Sequence, residues 1–161
     1  PTRAVLARES AAVVHGIPVV GPYPAQTQFC LPGSTSGRRS RVSRTTAAPA
    51  GVEVVRMNGH PITSLAQTLV DLACTRSLRS SLASLSWALR GGGASEESLF
   101  GLIEGQRHRP GIMRALRALA HALDGGSADD EPLHDGAPRD GAGAPRRGDG
   151  PERPSGERAE P

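Results

Sequence analysis

The chain has 161 residues and a formal net charge of +3, and every one of its 19 basic residues is arginine. That length allows one domain. Two well-separated cysteines exclude a disulfide framework or a zinc-ligand cluster, and no apolar run reaches the roughly 18 residues that a membrane helix needs. No signal peptide is visible, so a cytoplasmic protein with reduced, buried cysteines is the expectation.

In chain order, the apolar positions Ala4, Val5, Leu6, Ala11, Ala12, Val13 and Val14 predict a first helix over Val5 to His15, stopped by Gly16 with Pro18 just beyond. Val19 to Pro24 reads as a Gly and Pro connection. Strands are predicted at Thr27 to Leu31, Arg41 to Thr45, Val52 to Met57 and Pro61 to Thr63, the last two joined by an Asn58-Gly59 turn whose residues accept positive φ angles. Ser64 then caps a helix. Its hydroxyl can accept from the backbone N–H near Gln67, and Gln67 can reach back to complete a capping box.

Leu65, Leu69 and Leu72 give that helix a buried stripe, and Leu78, Leu82, Leu85 and Leu89 define the next, ended by Gly91-Gly92-Gly93. Ser95, Glu96 and Glu97 open a third, with acids at its positive end. Ile112, Leu116, Leu119 and Leu123 mark a fourth after Pro110. The predicted class is α+β: a small antiparallel sheet, one preceding helix and a following bundle of about four helices.

Charge divides the chain. Residues 1–124 hold fourteen Arg against seven acids, whereas residues 125–161 hold five Arg against nine acids, with eight Gly and six Pro. The expected folded domain is therefore 1–124. The remainder lacks the apolar surface to offset ordering entropy and is predicted to be a disordered tail, either a real acidic terminus or the product of reading a GC-rich gene out of frame.

The basic residues supply the site candidates. Arg38, Arg39, Arg41 and Arg44 lie within seven residues and form an electrostatic footprint suited to DNA phosphates. The plainer alternative is a solvated turn and an edge strand guarded by charge. Arg114 and Arg117, with His121, step along one helix face and offer a second phosphate-contact candidate or a solvated face. Asp71 is placed to bond a backbone or Arg partner and hold its helix against neighbours, and Ser10 can cap or bond the backbone locally. The histidines match no metal-ligand spacing. No catalytic triad, phosphate loop or paired carboxylates are found, so no catalytic residue, metal or cofactor is expected.

Two runs carry a resemblance: ESAAVVHGIP at Glu9 to Pro18, and TSLAQTLVDLA at Thr63 to Ala73, which contains Ser64, Gln67 and Asp71. Over roughly Ala4 to Leu123 the chain resembles the domain that follows the winged helix in bacterial AbiEi-type antitoxins, most of all the actinobacterial versions. The resemblance implies a non-enzymatic regulatory module of a type IV toxin-antitoxin system, associated with operator DNA through an upstream winged helix and countering a nucleotidyltransferase-like toxin. Many such relatives continue into an endonuclease domain similar to the very-short-patch-repair enzyme, which implies the alternative of an accessory domain for such a nuclease. The expectation is a middle domain without either flanking part.

Overall fold

A computed structural model describes residues 4–91 and 93–125. The predicted tail lies outside the described residues, apart from Gly125.

The elements are β1 (Val5–Leu6), α1 (Arg8–His15), β2 (Thr27–Leu31), β3 (Arg38–Arg39), β4 (Ser43–Ala47), β5 (Val54–Met57), β6 (His60–Thr63), α2 (Leu65–Thr75), α3 (Leu78–Arg90), α4 (Glu96–Gly105) and α5 (Ile112–Leu123). The class is α+β, with six strands in the order β3-β4-β2-β1-β6-β5. Pairing is mixed where an antiparallel sheet was expected: β1 runs parallel to β6 and β2 parallel to β4, while the other three pairs are antiparallel.

The largest correction falls at the start. Val5 and Leu6 are a strand, not the first turn of a helix, and pair with Cys30, Phe29 and Ile62. Val5 and Ala7 are buried against Cys30, and these β-branched and small residues fit a strand held on both edges. The chain then turns sharply at Arg8, whose φ of 53° is left-handed, and α1 follows. Its end is as predicted, with Gly16 at φ 71° donating to Ala12 and Val13.

The sheet also gains β3, and β4 begins two residues later than predicted. Between them Ser40 Oγ accepts from the amides of Val42 and Ser43, which closes the turn that the four-arginine segment crosses. The β5–β6 hairpin turns at Asn58 and Gly59, with φ 50° and 80° as the sequence indicated.

Ser64 caps α2 by accepting from the Gln67 amide at 3.0 Å, and Ser77 and Ser95 do the same for α3 and α4. Leu69, Leu72, Leu85, Leu99 and Leu119 meet in the main core, all at most 2 % exposed. Each such side chain contributes roughly 1.5–3 kcal/mol of burial. In α5 the buried side is Ile112, Ala115, Ala118 and Leu119, while Leu116 is half-buried and Leu123 is exposed.

Candidate functional site

A buried polar network fixes one wall of the candidate site. Asp71 on α2 is 2 % exposed. It accepts from Arg109 Nη1 at 2.6 Å and from Gln67 Nε2 at 2.8 Å. Gln106 donates from Nε2 to Gln67 Oε1 at 2.7 Å and accepts from Arg109 at 3.1 Å. The α4–α5 turn brings Arg109 there, because Gly111 (φ 85°) lies so close to the Cys74 carbonyl that a Cβ would collide with it. Of the two partners open to Asp71 in the sequence, a backbone group or an arginine, the structure shows the arginine. Gln67 does not close the capping box: the Ser64 amide donates instead to the Glu53 carbonyl, and Gln67 turns inward.

Arg8 stands at the centre of the basic residues. Its side chain has no hydrogen bond or ion pair among the described residues. Burial lowers its pKa, Asp71 and Glu9 oppose that shift, and Arg109 and Arg44 reinforce it; a guanidinium stays charged regardless. Arg8 lines two clefts. One, of about 640 Å³, also touches Cys74, Gln106, His108, Arg109 and Arg114. The other, of about 420 Å³, touches Glu9, Gln28, Arg39, Arg44 and Arg76.

The four-arginine segment is divided by its own hairpin. Arg39 and Arg44 are register partners across β3 and β4, and both line the smaller cleft beside Arg8. Like charges directly opposite on adjacent strands repel. Arg38 pairs with Thr45 on the opposite face of β3, and Arg41 occupies the turn, so neither joins Arg39. Arg114 reaches the larger cleft, whereas Arg117 is exposed on α5 outside both. The structure therefore assembles Arg8, Arg39 and Arg44 around one cleft and Arg8, Arg109 and Arg114 around the other.

Arg76 is already committed. It faces Glu9 at 3.5 Å and donates to the carbonyls of Val20 and Pro22, fastening the loop after α1. Ser10, expected to bond locally, instead accepts from the Gln28 amide and ties α1 to β2.

Arg8 was not singled out in the sequence, because a helix read through Val5 hides the strand-to-helix break that sets it apart. Both cysteines are free and buried. Burial raises the Cys74 thiol and lifts that of Cys30 to about 11. Among the described residues, no group of three or more His, Cys, Asp and Glu is placed to hold a metal ion, and no helix is long and apolar enough to cross a membrane. No family model, curated protein or solved structure matches the chain.

Proposed function

We propose that this chain is a non-enzymatic module that holds DNA by its phosphates, as the effector-side domain of a transcriptional regulator similar to the AbiEi-type antitoxins. The observation that supports this reading is the pairing of Arg39 with Arg44 across β3 and β4, with Arg8 as the third cation of the cleft they line. Guanidiniums that line one cleft favour an anion between them, and a phosphate oxygen accepts from several at once. The buried carboxylates are in structural pairs, Asp71 with Arg109 and Glu9 with Arg76. Such contacts position a duplex without reading its bases; base readout belongs to a recognition helix elsewhere in a regulator of this type.

The test is fluorescence anisotropy of the full chain on labelled duplex DNA across a salt series. The logarithm of affinity falls linearly with the logarithm of salt, and the slope loses roughly one unit per arginine removed in R39A/R44A. R38A/R41A, whose side chains lie outside the cleft, has the smaller effect. Binding that ignores salt, or that survives R39A/R44A unchanged, removes this face from consideration.

A further inference from the structure

The larger cleft joins an apolar wall to a set of cations. Ala47, Ala48, Pro49 and Ala50, at the end of β4 and just after it, line it together with Pro110 of the α4–α5 turn, and its volume is about 640 Å³. Arg8, Arg109 and Arg114 supply the charge, and the described residues of the wall include no Asp or Glu. Asp71 balances Arg109 from outside that lining, so the net positive charge rests on Arg8 and Arg114. Small-molecule sites have this make-up: apolar surface for the body of a ligand and a few polar groups that orient it.

Arg8 is held there at a cost. Its φ of 53° is left-handed, a conformation that glycine adopts freely and that another residue keeps only where its surroundings impose it, as they do at ligand clamps. An arginine fixed in that way is set for an anion, because a planar carboxylate accepts two parallel N–H bonds from one guanidinium. The positive end of α5 adds to the field, since α5 begins at Gly111 of the same wall without a side-chain cap. Inorganic phosphate leaves the alanine and proline wall wet, a neutral apolar molecule leaves the arginines without an anion, and a cation is repelled.

We infer that the larger cleft binds a small organic carboxylate, with the carboxylate on Arg8 and Arg114 and an apolar body against Ala47 to Ala50 and Pro110. The inference does not rest on the duplex reading, whose Arg39 and Arg44 line the other cleft.

Calorimetric titration of the full chain with acetate, octanoate below its micelle-forming concentration, octylamine and inorganic phosphate tests it. Each methylene taken out of water strengthens binding by up to roughly fourfold, so octanoate binds at least about tenfold tighter than acetate or phosphate. Octylamine, with the same body and the opposite charge, does not bind. Arg114→Gln, at an exposed position, and Arg8→Gly, which suits the left-handed backbone and removes the guanidinium, each weaken octanoate by at least about fivefold. Ala50→Glu, also exposed, sets a like charge against the carboxylate and weakens it as well. R39A/R44A changes octanoate affinity by less than about twofold. Thermal melting checks that each variant is folded, and Arg114→Gln decides if Arg8→Gly is not. Acetate, phosphate or octylamine binding as tightly as octanoate, no octanoate binding, affinity that survives Arg114→Gln, or a loss in R39A/R44A as large as in Arg114→Gln overturns the assignment.

Discussion

Asp71 and Cys30 are two buried titratable side chains that the fold holds in opposite ways. Asp71 is satisfied as an anion by Arg109 and Gln67. Removing it strands the Arg109 guanidinium, whose side chain is 14 % exposed, so Asp71→Ala lowers stability by about 3 kcal/mol, read from urea unfolding; a loss under about 1 kcal/mol means the network relaxes around the gap. Cys30 is held neutral. Its folded pKa, about 11, lies above the ordinary thiol value, so the stabilising contribution is complete below the unfolded thiol pKa and disappears as pH climbs through the folded one. The urea midpoint therefore falls between about pH 9 and 11 by more in the wild type than in Cys30→Ala, the thiol accounting for about 2 kcal/mol at most. Equal pH profiles in the two proteins contradict this. At this scale a structural role for Asp71, with a backbone or an arginine partner, was legible from its place among leucines. The identity of that arginine was not, because Arg109 lies 38 residues away and arrives through a turn.

The helices were legible wherever a cap and an apolar stripe coincided. Ser64 and its leucines mark α2, and Ser95 with two glutamates marks α4. Ser64→Ala costs about 1 kcal/mol for the lost cap, measured as a lower thermal midpoint, and no change there means the Gln67 amide finds another acceptor. Strands were harder. β1 is two residues long and its partners are Phe29, Cys30 and Ile62, a pairing written nowhere in the local pattern. β3 is as short and was read as loop. Gly111 belongs to the same class of hidden constraint: its neighbour is the Cys74 carbonyl, and its φ is 85°. Gly111→Ala combines a left-handed backbone with a collision, and it is expected to loosen the α4–α5 turn enough to lower the melting temperature by several degrees. A variant melting within a degree of wild type places the turn elsewhere in solution.

Across the whole molecule, β1 joins two unequal halves. On one side lie β2, β4 and β3, and on the other β6 and β5, and α1 packs on both β2 and β6. The apolar cluster shared by β1 and β2 is small, with Val5, Ala7 and Cys30 at its centre. Few buried side chains hold the β2–β3–β4 half, so its amides exchange with deuterium faster than those of α2 and α5; protection in these strands equal to that of the two helices contradicts this. That arrangement bears on the arginines. Arg39 and Arg44 ride on the lightly held half, while Arg8 sits where α1 leaves β1. An anion gripped by all three, as proposed, would span the seam and act as a removable rivet: occupancy of the cleft would be felt as slower opening of the hairpin.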